Sequence, residues 1–186
     1  MTRATFTRMQ DGTAEDYAVV EAAEVEFAKG LPERILAAVE ALGDAGLGGY
    51  AVTRLEHSLQ SATRALRDGR DSDYVVAALV HDIGDELAPY AHGSYAASVL
   101  RPYVSEKLVW IVEHHPVFQM YYYAPHMGGE KNARDRYRDH PWFDDTVEFC
   151  EKYDENCFDP EYDSLSLDDF APLVREVFSR EPFSKA

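Results

Sequence analysis

The sequence predicts an all-α fold. Three observations carry that reading. Apolar residues recur at helical spacing along most of the chain, glycines and prolines interrupt it at helix-length intervals, and no stretch alternates β-branched residues as a strand does. At 186 residues the chain suits one domain, 1–186, built on a single core.

Each element follows from its own signals. "AEDYAVVEAAEVEFAKG" predicts a helix that stops at Gly30, and "LPERILAAVEALGD" a second, with Pro32 in its first turn and Gly43 at its end. These N-terminal helices occupy 14–43. "GDAGLGGY" comes next, without a preceding strand and without the Lys-Ser/Thr of a phosphate loop, so it reads as a connector. A lid or a substrate-facing loop is the alternative. "VTRLEHSLQSATRALRDG" is amphipathic, with Leu55, Leu59, Ala62 and Leu66 on one stripe. "SDYVVAALVHDIGDEL" opens on Ser72 as N-cap and runs apolar to His81. "SYAASVLRPYV" and "SEKLVWIVEHHPVFQMYY" are two more helical stretches, the second expected to end at His115-Pro116. "APHMGGEKNARDRYRDHPWF" breaks the pattern at Pro125, Gly128, Gly129 and Pro141. "DDTVEFCEKYDENC" and a last helix over about 166–180 close the chain, and the motif-bearing core is expected over about 50–160.

Charge narrows the function. With 18 Lys and Arg against 34 Asp and Glu the net charge is −16, which repels nucleic acid and anionic membranes. A small anionic substrate stays open, because a few local cations or a metal outweigh the global field. Cys150 and Cys157 are too few for a disulfide framework, so a reducing cytoplasm is expected. The first residues lack the apolar core of a signal peptide, and no apolar run spans a bilayer.

Histidine is the informative residue type. Of the seven, His81 emerges from the apolar run "VVAALV" beside Asp82, whose carboxylate in apolar surroundings needs a cation. Imidazole suits iron, manganese and zinc, and carboxylate adds hard oxygen donors that can bridge two ions. Consecutive residues point to different sides, so the His can serve one metal while the Asp reaches between two. His57, His92, the His114–His115 pair and a late Asp extend the pattern along predicted helices.

"LEHSLQSA", "ALVHDIGDEL", His92, "WIVEHHPVFQMYYY" and "FCEKYDENCFDP" together resemble the HD-domain superfamily and, within it, the mixed-valence di-iron oxygenases that cleave hydroxyphosphonates. The likeness runs from about His57 to Asp154 and implies a helical bundle with the metal site between core helices. It implies two iron ions as Fe(II)/Fe(III). His57, His81 and Asp154 would bind one, His92 and His115 the other, and Asp82 would bridge them. His114 competes with His115, and Asp159 and Asp163 compete with Asp154. His126 and His140 are expected in loops, with His126 able to line a site entrance.

Two departures from the family pattern matter. The His or Lys usual three residues after the HD pair's Asp is here Asp85, which weakens a phosphohydrolase reading. Family residues that contact iron and a substrate ammonium fall on Leu47 and Tyr50, and those that bind phosphonate fall on Gln119 and Glu151. Anion recognition must then be rebuilt, with Lys131, Arg134, Arg136, Arg138 and Lys152 as candidates. A quaternary ammonium is best held against aromatic faces, and Tyr50, Phe118, Tyr121, Tyr122, Tyr123 and Trp142 could supply them.

The resemblance therefore implies O2-dependent C–P cleavage of a 1-hydroxyalkylphosphonate, first [1-hydroxy-2-(trimethylamino)ethyl]phosphonate to glycine betaine and phosphate. The same chemistry on 2-amino-1-hydroxyethylphosphonate, a metal-dependent phosphohydrolase and a ligand-binding HD module are the alternatives. A small organophosphonate and O2 are the partners expected.

Overall fold

The computed structural model describes residues 3–43 and 49–183. Residues 44–48, with Leu47 and most of the glycine-rich stretch, lie outside these. The described residues form eight α-helices and no strand: α1 (Ala14–Lys29), α2 (Leu31–Ala41), α3 (Arg54–Arg67), α4 (Ser72–Val80), α5 (His92–Leu100), α6 (Glu106–Tyr123), α7 (Phe143–Tyr153) and α8 (Leu167–Phe178).

The chain organises around α4. Every residue from Tyr74 to Val80 is buried, which is what a helix apolar on all sides requires. Helices α3, α6 and α8 pack on it, α5 pairs with α6, α7 lies against α3 and α6, and α2 covers α8. Fully buried Phe149, Tyr153, Phe170, Leu79, Leu100 and Ile111 fill the interior, each contributing about 1.5–3 kcal/mol. Helix α1 packs on α2 and leaves Val25 and Phe27 in solvent.

Capping sets the helix starts. Thr13 with Asp16, Thr53 with Glu56 and Ser166 with Asp169 close reciprocal capping boxes. The cap of α4 is Asp71, whose carboxylate accepts from the Tyr74 N–H at 2.9 Å, and not Ser72. Ser72 is already helical, and its hydroxyl donates to Glu176.

Two further expectations change. Of the stripe expected on α3, Ala62 is buried and Leu55 and Leu59 pack partly buried on the core, but Leu66 is exposed, and the helix also buries the polar His57, Ser58, Gln60, Ser61 and Thr63. The reason lies in the segment after α7, which crosses this face. Gln60 Nε2 donates to the Asp159 carbonyl (2.8 Å), Thr63 Oγ1 accepts from Leu165 N (3.0 Å), and Arg64 reaches the Asn156 carbonyl (3.0 Å). Helix α6 does not end at Pro116 but continues to Tyr123. Proline forfeits the hydrogen bond to the carbonyl four residues back, that of Val112. That carbonyl accepts instead from His115 Nδ1 at 2.6 Å, so the break leaves no orphan.

Candidate metal centre

Six side chains from five places in the chain converge. His57 sits in the first turn of α3, His81 caps the C-terminus of α4 with Asp82 next, His92 opens α5, His115 lies within α6, and Asp154 caps the C-terminus of α7. Two helices thus point their partly negative ends at one place, which favours a cation there.

Asp82 divides its two oxygens between two groups. Its Oδ2 lies 3.6 Å from His57 Nε2 and 3.6 Å from His81 Nε2. Its Oδ1 lies 3.2 Å from His115 Nε2 and 3.5 Å from His92 Nε2. Asp154 Oδ1 completes the first group, 3.4 Å from His57 Nε2 and 3.8 Å from His81 Nε2. All of these side chains are buried except that of His92, which is 22% exposed.

The outward nitrogens decide the tautomers. His57 Nδ1 faces the Cys157 carbonyl at 3.0 Å, His81 Nδ1 that of Ala78 at 2.7 Å, and His115 Nδ1 that of Val112 at 2.6 Å. A carbonyl only accepts, so each Nδ1 carries the proton and each Nε2 turns a lone pair inward. His92 Nδ1 likewise faces acceptors, the Pro89 carbonyl at 3.5 Å and Asp85 Oδ1 at 3.3 Å. Lone pairs and two buried carboxylates meeting in one place repel one another unless a cation sits among them. Asp154 Oδ2 is itself buried with no partner among the described residues. The nitrogen and oxygen donor set fits iron, manganese or zinc, and the backbone acceptors behind each ring fix ligand orientation.

Charge in the metal-free site follows the same geometry. Burial opposes the charged form of His81, but Asp82 and Asp154 outweigh it, so its pKa rises to about 9. Asp82 and Asp154 are held below the usual carboxylate range despite burial, by the histidines around them. Asp85 is pushed up by burial and by Asp82 beside it.

Two glycines bring His92 into reach. A Cβ on Gly84 would lie 2.8 Å from Tyr95 Cβ and 2.9 Å from His92 Cα. One on Gly93 would meet Pro116 Cγ and the Val112 carbonyl, both at 2.9 Å. The missing side chains let α5 close against the turn after Asp82 and against α6.

A cavity of about 400 Å³ opens onto the cluster. Tyr50 stacks on Phe158 (5.1 Å between centroids) and Phe158 on His57 (4.5 Å), giving one aromatic wall; Tyr122 and Tyr123 line it too. Gln119 lines it and donates to Asp154 Oδ1 at 2.9 Å. His126 is at its edge, exposed.

Other expected substrate contacts lie elsewhere. Tyr121 does not line the cavity, because Gln119, Tyr122 and Tyr123 occupy the inward face of α6 at helical spacing and Tyr121 falls between them. Lys131 and Arg134 are also outside it; Lys131 Nζ and Arg134 Cζ lie 4.3 and 3.7 Å from the Tyr121 ring centre. Trp142 and Phe118 do not line it either. His114 and His140 stack on Trp110 (4.2 and 3.9 Å), away from the cluster. Asp159 caps Glu161 N, and Asp163 pairs with Arg67 in solvent. Arg54 and Glu155, which sequence reasoning passed over, do line the cavity. A signal existed for Arg54, which precedes His57 by three residues and so shares its helix face.

Among the described residues no helix is long and apolar enough to cross a membrane. The family model for the HD domain matches residues 54–182. No curated protein matches the chain.

Proposed function

The chain belongs to the HD domain family, and from that premise we propose that it is a di-iron oxygenase that cleaves the carbon–phosphorus bond of a 1-hydroxyalkylphosphonate. A buried His and Asp cluster able to hold metal is what the family's metal-dependent enzymes use. The observation that carries the finer reading is Asp82, whose two oxygens face two separate histidine groups. A single ion needs no such division; a pair of ions bridged by one carboxylate does.

In this reading His57, His81 and Asp154 would hold one iron and His92 and His115 the other, with Asp82 available to both. Iron supplies, when bound, the one-electron chemistry that O2 requires before it can attack a C–H bond. The balance is R–CH(OH)–PO₃H₂ + O₂ → R–COOH + H₃PO₄. The C1–H and C–P bonds break, and the substrate provides every electron, so no external reductant is required.

The protein's own groups bind and orient. Gln119 holds Asp154 in register. Tyr50, Tyr122 and Tyr123 line the cavity as aromatic contacts for the cationic end of the substrate, with Phe158 stacked between Tyr50 and His57; this suits a quaternary ammonium with no N–H to donate. The substrate is accordingly [1-hydroxy-2-(trimethylamino)ethyl]phosphonate, and the products are glycine betaine and phosphate.

Low-temperature EPR on iron-loaded, partly oxidised protein tests this. The expected result is a coupled Fe(II)/Fe(III) signal that changes shape when the compound is added. Two bound irons without that signal, together with anaerobic phosphatase activity under manganese, would overturn the oxygenase in favour of a hydrolase.

A further inference from the structure

Position 85 departs from the family pattern, and its surroundings give the departure a use. Asp85 is buried; its Oδ2 lies 2.7 Å from Arg54 Nη1 and its Oδ1 3.3 Å from His92 Nδ1. Arg54 opens α3, whereas Asp85 lies in the turn after α4, so the pair ties two elements together beside the His and Asp cluster. The same guanidinium reaches to 3.6 Å from Asp82 Oδ2 and sits 5.4 Å above the Tyr50 ring. Of the residues that line the cavity, Arg54 is the one Lys or Arg among the described residues.

We propose that Arg54 is the oxyanion-binding residue of this cavity and that Asp85 is the residue that positions it. The inference rests on the proposed function for the identity of the oxyanion, a phosphonate. Arg54 Nη1 contacts Asp85, and the side chain keeps 24% of its surface exposed at the cavity wall, where an oxyanion can reach it. A tetrahedral phosphonate offers three oxygens, enough to meet the remaining N–H groups and the metals together. Lys131 and Arg134, candidates from the sequence, lie outside the cavity against the Tyr121 ring. Asp85 keeps the fork pointed at the cavity and ties it to His92.

Calorimetric titration of the iron-loaded protein with inorganic phosphate tests the proposal without turnover. Arg54→Gln is expected to weaken phosphate binding by about tenfold or more, the worth of one charge-assisted contact. Arg54→Lys, which keeps the charge but not the fork, should fall between the two and serves if Arg54→Gln does not fold. In the double variant Arg54→Gln/Asp85→Lys a cation returns within contact distance of the same spot, and most of the affinity should return with it. A merely structural ion pair predicts no such rescue. The double variant Lys131→Ala/Arg134→Gln should bind phosphate as the wild type does.

Wild-type binding with an unchanged Kd in Arg54→Gln, or no rescue by Asp85→Lys, overturns the inference and leaves the oxygenase reading standing. No phosphate binding by iron-loaded wild type overturns the inference, while an EPR signal that still responds to the hydroxyphosphonate keeps the oxygenase reading alive.

Discussion

His57 Nε2 and His81 Nε2 lie 3.1 Å apart in the interior, each ring backed by a carbonyl on its Nδ1. Two inward lone pairs at that distance tolerate each other only with a positive charge between or beside them. In the metal-free protein a proton on His81 takes that place. When a metal binds, it replaces the proton, so acid and metal compete for the same atoms.

The pH dependence follows in sign. The His81 pKa, raised to about 9 from an ordinary value of about 6.5, contributes stability that is whole below pH 6.5 and lost as pH rises toward 9. Asp82 and Asp154, held low, contribute stability above about pH 4 that is lost as pH falls. Metal-free protein should therefore melt highest between about pH 4 and 6.5. The gain in Tm from saturating iron should widen from pH 6 to pH 9. At 100-fold excess over Kd the gain corresponds to about 2.7 kcal/mol, or roughly 5–10 °C for a chain of this size. Anaerobic thermal melts with iron and with chelator across that range would check it; a constant gain would mean the metal does not displace a proton.

Among the described residues Asp82 is the one carboxylate that faces both histidine groups, so its loss should act on both. Asp82→Asn keeps the shape and removes the charge. Bound metal should fall from about two ions per chain to one or none, with affinity down about 10–100-fold at whatever remains. Asp154→Asn, on one side only, should cost one ion. Metal analysis after gel filtration distinguishes these, and equal losses in the two variants would argue against a shared bridge.

How much of this the sequence disclosed depends on whether the signal was local. The His81-Asp82 pair was legible because an apolar helix delivers both residues into the interior with no intervening loop. His115 was legible for an insufficient reason. The proline after it does not end α6; it frees the Val112 carbonyl that orients the ring. The buried polar face of α3 was not legible, because the segment that covers it lies about 100 residues further along the chain. Lys131 and Arg134 were attractive as charges in a loop, yet Tyr121 takes both, a contact that only the folded loop creates. Arg54 shares a helix face with His57, but its use emerges only when Asp85 arrives from another element.

Gly93 makes a sharper prediction than any ligand. A methyl group there meets the Val112 carbonyl and Pro116 at 2.9 Å, both parts of the helix that carries His115. Gly93→Ala should push α5 and α6 apart and cost about 1–3 kcal/mol. His92 and His115 ride on those two helices, so metal at their side should weaken while the His57, His81 and Asp154 side is spared. Two-step metal titration, read beside the melting temperature, would show the second step lost first. Loss of both steps in parallel would mean the helices do not move independently of the first site.

Tyr50 tests the cationic end of the proposed substrate. The residue is 59% exposed, and its ring stacks on Phe158 at the cavity wall. Because so little of it is buried, Tyr50→Glu should leave the fold intact and exchange a π face for a carboxylate. A trimethylammonium group then loses an attraction of about 0.5–2 kcal/mol, whereas a primary ammonium gains an acceptor for its N–H groups. The ratio of kcat/KM for the trimethylated over the primary-amine hydroxyphosphonate should drop about tenfold, carried mainly by KM. Because Arg54 lies 5.4 Å from this ring, a new carboxylate could also draw the guanidinium away from the anion. Phosphate affinity measured on the same variant separates the two effects. A fall in kcat/KM for both substrates with weakened phosphate binding would trace the change to Arg54, and only a crossover in preference would assign the cation to the aromatic wall.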